Sequence, residues 1–261
     1  MDQDQTPPAT PPPAPPAPGA PPPPMGGTGD GGGPRLPWEE RQSLGFLDSL
    51  IATVKLLVTA PADAFGRLRR DGDMISPILF GILLTLVGQI FSQIWNLLFG
   101  AAWMSMLGGM GDMMEMGEGM GGMESLAFFG ATNIFSALIT LVLTPIFYLI
   151  FLFIASGIYH LCLMLFGAVE TSPQGFEGTL KVTAYASVAS LGAIIPVVGG
   201  LITLIAQIIL LVIGFQHVHR TTQGKAIGAV LLPIVICCVC AVVGALLFGG
   251  MIAGLASQGG G

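Results

Sequence analysis

The stretch AIIPVVGGLI, residues 193–202, decides the fold. It lies within a run from Val182 to His219 that holds no Asp, Glu, Lys or Arg. Two readings compete. Pro196 is a kink inside one long helix, or Pro196 to Gly200 is the turn between two short ones. Proline removes an amide donor and clashes with the preceding helical turn, and the glycines Gly199 and Gly200 weaken helix further. The choice sets how often the chain crosses a membrane and on which side it ends.

The rest of the chain implies that membrane. Of its 261 residues, 52% are hydrophobic and 9% charged, against about 25% charged in a soluble domain. Charge-free runs also cover Met74–Gly111, Ser125–Val169 and Ala226–Gly261. Each exceeds the roughly 20 apolar residues that span a bilayer as helix. In hydrocarbon the backbone must satisfy its own polar groups, so such runs form helices or a closed barrel. The alternation of a barrel is absent. The expected class is all-α, a polytopic membrane protein.

No basic stripe argues for nucleic acid. Cys162, Cys237, Cys238 and Cys240 all lie in apolar runs, which is no disulfide framework. The N-terminal MDQDQTPPAT has neither a basic nor an apolar signal region, so the first membrane helix is expected to direct insertion.

Residues 1–37 are mostly Pro, Gly and Ala and read as a disordered tail, with a polyproline ligand as the sharper alternative. Residues 38–74 read as an amphipathic segment. Phe46, Leu47, Leu50, Ile51, Val54, Leu57 and Val58 recur at helical spacing, either in the membrane interface or packed on the bundle. The membrane domain is expected over 75–249, with spans near 75–99, 132–166, 182–196, 200–216 and 226–248. A Gly/Met loop covers 100–124, and 250–261 reads as a flexible C-terminus.

That count of five rests on charge. With a turn at Pro196, Gly199 and Gly200, segments 1–74, 167–181 and 217–225 share one side. They hold Arg35, Arg41, Lys55, Arg67, Arg69, Arg70, Lys181, Arg220 and Lys225, which are all the basic residues of the chain. Lys and Arg collect on the cytoplasmic side. The expected protein is therefore integral and multi-pass, in the inner or plasma membrane if bacterial, with its N-terminus cytoplasmic and its C-terminus outside. A single helix over 182–216 would put Arg220 and Lys225 on the wrong side.

Four features together resemble the Yip membrane-protein domain family, whose eukaryotic members interact with Ypt/Rab GTPases. They are LLVTAPADAFGRLRR at 56–70, the PILF start of the first span at 77–80, YASVASLGAIIPVVGGLITLIAQIILLVIGFQHVHRTTQGKAIGAVLLP at 185–233, and the five spans. The likeness covers about 44–248. It implies a multi-pass helical scaffold without catalytic residues, contacting lipid and other membrane proteins. The short loops resemble the bacterial members, for which no function, and no Rab partner, is implied.

In the first span Gln89, Gln93 and Asn96 fall at i, i+4 and i+7, with Thr85 one turn earlier. Amides are costly in lipid, so this face is expected to join helices or to line a hydrated path. Ala186/Ser190, Ala189/Ala193 and Ala241/Ala245 are small pairs that let helices approach closely, within the chain or in a homo-oligomer. Met104, Met106, Met110, Met113, Met114, Met116, Met120 and Met123 crowd the expected outer loop. Soft thioethers select Cu(I), the one ligand the composition suggests, but a loop that adapts to lipid or partner, or neutral low complexity, fits as well. His160, His217 and His219 read as interface polarity. No nucleophile–base pair, phosphate loop or HExxH motif is present. The expected function is a non-enzymatic membrane scaffold or adaptor, the alternative a small transporter or channel component handling copper.

Overall fold

The computed structural model describes residues 34–68, 73–112, 122–169, 172, 174–258, with side chains omitted over 101–133 and from 247 onward. Among these the chain is helical and has no strand. A 3-10 turn, Pro37–Glu40, leads into α1 (Arg41–Leu44), α2 (Phe46–Thr59) and α3 (Pro61–Gly66). The long helices α4 (Ile75–Asp112) and α5 (Gly122–Leu165) follow, then α6 (Gly175–Ala186), a 3-10 segment Ser187–Ile194, α7 (Gly199–Val218) and α8 (Gln223–Gln258). Among the described residues four helices are long and apolar enough to cross a membrane, over Ile75–Gly100, Ile134–Leu165, Gly199–Val218 and Gln223–Leu246.

Pro196 opens a turn between two arms. Ile195 is extended, Pro196–Val198 form a turn, Val197 takes φ +67°, and α7 begins at Gly199. The two arms then pack side by side. A Cβ on Gly199 would fall 2.6 Å from the carbonyl oxygen of Gly192, and one on Gly192 would fall 2.7 Å from Thr203 Oγ1. Only glycine permits that approach.

The arm before the turn differs from a plain helix over 182–196. It starts at Gly175 and ends as eight residues of 3-10 helix. At about 1.5 Å per residue in α6 and about 2.0 Å in the 3-10 segment, it reaches about 34 Å. The stretched end makes up for the short sequence. It also runs parallel to α4. Going up α4, Phe80 meets Tyr185, Gly81 meets the Ala184 carbonyl, Gly88 meets Ser190, and Trp95 meets Ala193.

Other boundaries also move. The expected 100–124 loop is helical through Asp112 and again from Gly122, because Ala101, Ala102, Met104 and Met106 are good helix formers and no proline interrupts them. Likewise α8 continues to Gln258 through the expected flexible C-terminus, with no proline after Pro233. Pro145 lies inside α5 without ending it. What does end α5 is Gly167, at φ +59°, with Ala168 N–H bonded back to the Leu163 carbonyl at 2.8 Å.

One face of α2 packs on the bundle and another is exposed and apolar. Ser49, Thr53 and Leu57, four residues apart, are buried against the bundle, while Leu47, Ile51 and Val58 form an exposed apolar stripe on another face. The core is built from Leu57, Phe65, Phe80, Leu163, Tyr185, Leu211 and Phe215. Much of α5, and α8 from Val235 to Leu246, expose apolar side chains, as lipid-facing helices do.

Candidate functional site

Between α4 and the 190–203 hairpin lies a groove of about 640 Å³. Thr85, Gln89, Ser92 and Asn96 line it from α4. Ser190 and Ala193 of the 3-10 segment, then Gly199, Gly200 and Thr203 of α7, form the other wall. Ser190 Oγ sits 2.7 Å from both the Leu84 and Ser187 carbonyls, so one proton is shared between a helix contact and the 3-10 turn itself. Gly88 allows this, since a Cβ there would fall 2.6 Å from the Ser190 carbonyl oxygen. At the far end Trp95 Nε1 donates to the Ala193 carbonyl at 3.0 Å and its ring stacks on Phe99. Among the described residues no charged side chain lines the groove.

A second space of about 380 Å³ opens between α4 and α5, lined by Ile139, Leu143, Phe147, Tyr148 and Phe151. Thr85 and Gln89 belong to both spaces. Asn96 Nδ2 is occupied with the Ser92 carbonyl at 2.9 Å. Among the described residues the Gln89 carboxamide has no hydrogen-bond partner, and neither does the buried Thr203 hydroxyl.

The opposite end of the bundle carries the N-terminal segment. Trp38 is buried; its backbone N–H donates to Thr53 Oγ1 at 2.8 Å and its indole to the Ser76 carbonyl at 2.7 Å. Arg41 lies over the Trp38 ring at 5.2 Å and also donates to Ser76 Oγ. Asp73 accepts the backbone N–H groups of Ile75 and Ser76, each at 3.1 Å, and so caps α4. Burial opposes its charge, but the Ser76 and Ile75 hydrogen bonds and Arg41 win and hold its carboxyl below the usual range. Burial pushes the Glu39 carboxyl up, against the hydroxyl of Tyr185, which donates to it at 3.2 Å.

At that same end a polar relay ties three helices. His160 Nδ1 meets Thr179 Oγ1 at 2.9 Å, Thr179 Oγ1 meets His219 Nε2 at 3.0 Å, and His219 Nδ1 meets Ser172 Oγ at 2.6 Å. Ser172 Oγ in turn accepts the Gly175 N–H at 3.2 Å, at the start of α6. His219 is fully buried, and burial, with His160 nearby, pulls its pKa down to about 4. Lys225 Nζ donates to the Gly167 carbonyl at 2.9 Å.

The structure therefore gathers most of the residues singled out in the sequence. Thr85, Gln89 and Asn96 share the groove with Ser190, Ala193, Gly199 and Gly200. Gln93 is half-buried but does not line it, being turned about 40° from Gln89 at 100° per residue. Ala186 and Ala189 are buried; Ser190 and Ala193 pack against α4. Among the described residues Ala241 and Ala245 are exposed, which leaves them free for a contact between chains. The side chains of Met104 to Met123 lie outside the described residues, and among the described residues no three His, Cys, Asp or Glu cluster as metal ligands.

Sequence reasoning missed Gly81 and Gly88, the close-approach partners on α4. A Cβ on Gly81 would collide with Tyr148. It also missed His219 as a buried bridge and Trp38 as a buried clasp; in Trp38 the signal was an aromatic residue just ahead of an amphipathic helix.

Neither a curated protein nor a solved structure matches the chain. The family model of the Yip1 domain matches residues 55–245, which span α2 to α8 and so include both walls of the groove and the buried His219. The chain belongs to the Yip1 domain family of membrane proteins.

Proposed function

We propose that the protein is a non-enzymatic membrane adaptor that crosses the bilayer five times and holds other membrane proteins through α8. The observation that carries the reading is the exposed half of α8. Ala226, Ala229 and Val230 pack inside the chain, yet every residue from Val235 to Leu246 is exposed. The small residues Ala241, Gly244 and Ala245 on this half let a partner helix approach closely.

Five crossings follow if α6 and the 3-10 segment together make one. Their parallel course beside α4 and their length of about 34 Å, against a hydrocarbon core of about 30 Å, support this. The basic residues Arg41, Lys181, Arg220 and Lys225 then lie toward the cytoplasmic end, and α8 ends outside.

The test uses Cys237, Cys238 and Cys240, which are exposed on the free part of α8. A membrane-permeant bis-maleimide applied to native cells is expected to trap a different membrane protein. Ala241→Leu should reduce that adduct while the protein remains folded. Adducts with itself alone, or none, would contradict the adaptor.

A further inference from the structure

The two spaces beside α4 are one site by composition. Thr85 and Gln89 line both, so a polar groove leads directly into an apolar cleft. The polar part, around Ser92 and Asn96, lies toward the Trp95 end of α4. The apolar part, around Leu143, Phe147 and Phe151, lies deeper between α4 and α5. Both adjoin residues within candidate membrane spans.

We propose that this pair of spaces binds a single membrane lipid with an uncharged, hydroxyl-bearing head, such as a diacylglycerol. Its head lies among Asn96, Ser92 and Gln89, and one acyl chain enters the cleft between α4 and α5.

Three observations carry this assignment. First, among the described residues no Asp, Glu, Lys, Arg or His lines either space, so a charged headgroup finds no partner there. Second, the Gln89 carboxamide and the buried Thr203 hydroxyl lack partners among the described residues, a costly state within a membrane. A glycerol hydroxyl or an ester carbonyl satisfies the kind of group Gln89 offers. Third, the cleft is lined by Ile139, Leu143, Phe147 and Phe151, the apolar surface an acyl chain packs against. An acyl chain is thin enough to enter.

The lipid site is independent of the adaptor reading, since it uses α4, α5 and the 190–203 hairpin and not the free half of α8. Beyond Ser190 the 3-10 segment is tied to α4 by the Trp95–Ala193 bond.

The experiment uses the full chain in phosphatidylcholine nanodiscs with a diacylglycerol carrying a diazirine in one acyl chain. After illumination, mass spectrometry is expected to place the label on 139–151 of α5 and 85–89 of α4. Unlabelled diacylglycerol should compete for it. Gly200 lines the groove and a Cβ there meets nothing within 4 Å, so the side chain of Gly200→Phe starts in open space at the groove wall. This variant should fold and lose the labelling. Label that persists in folded Gly200→Phe overturns the proposal. So does label spread over all exposed apolar faces, Val235 to Leu246 included. A photoreactive residue at Ser92 that captures protein and no lipid would overturn it too.

Discussion

The Trp95 indole donates to the Ala193 carbonyl at 3.0 Å, joining residues 98 positions apart. Ala193 is next to the last residue of the 3-10 segment, where a carbonyl loses its helical partner. This bond and the Gly88–Ser190 contact hold the hairpin onto α4. Trp95→Phe keeps an aromatic ring, though a smaller one, and removes the donor; the lost hydrogen bond should cost about 1 kcal/mol, the scale of one between membrane helices. Gly88→Ala should cost more, about 1 to 3 kcal/mol, because backbone must move to admit the new carbon. Gly100→Ala meets nothing within 4 Å and should be neutral or slightly stabilising. Reversible unfolding in mixed micelles ranks the three; equal effects would contradict the close packing.

Val197 gives a test whose sign decides between turn and helix. It is 96% exposed and sits at φ +67°, where a β-branched residue is strained. Relief of about 1 to 2 kcal/mol on changing to glycine exceeds the added chain entropy of about 0.5 to 1 kcal/mol. Val197→Gly should therefore stabilise slightly in the same unfolding assay. In a continuous helix it would destabilise by about 0.5 to 1 kcal/mol.

His219 makes stability depend on pH. Its folded pKa, about 4, lies below the ordinary 6.5, so the unfolded chain binds the proton more readily. The stabilisation it allows is complete above pH 6.5 and lost as pH falls toward 4. Between pH 7 and 4.5 the advantage of the wild type over His219→Gln should shrink by about 2 kcal/mol. Comparing the two proteins removes the contributions of Asp73 and Glu39. Parallel pH profiles would mean that His219 is not a neutral bridge.

Trp38 anchors the N-terminal segment. Trp38→Phe leaves the Ser76 carbonyl without its donor and should cost about 1 to 2 kcal/mol; Trp38→Ala also removes the contacts to Phe46 and Phe80 and should cost about 3 to 5 kcal/mol. Limited proteolysis near Arg35 and Arg41 reads the release. An unchanged cleavage rate in Trp38→Ala would contradict the clasp.

Long charge-free runs made the membrane helices legible, and Pro196, Gly199 and Gly200 made the turn legible, because both follow from backbone hydrogen bonding in lipid. The Yip resemblance over about 44–248 agrees with the match over 55–245. What stayed hidden has one physical cause. In α4, α5 and α8 nearly every side chain is apolar, so hydropathy does not reveal which side packs. Gln93 and Ser92 could not be ranked by spacing; α4's rotation against Ser190 selects Ser92 for the groove. The 3-10 form of Ser187–Ile194 was equally silent, since its small residues suit an α-helix as well. His219 looked like surface polarity until Thr179 and Ser172 were brought to either side of its ring.

The central claim is that α6 and the 3-10 segment cross the bilayer and return at Val197. Single cysteines at Val198 and Thr222, in a chain whose four native cysteines are replaced, test it most directly. An impermeant maleimide applied to sealed vesicles of known orientation should reach Val198→Cys only from outside and Thr222→Cys only from the cytoplasmic side. Labelling of both from the same side would contradict the five-crossing account.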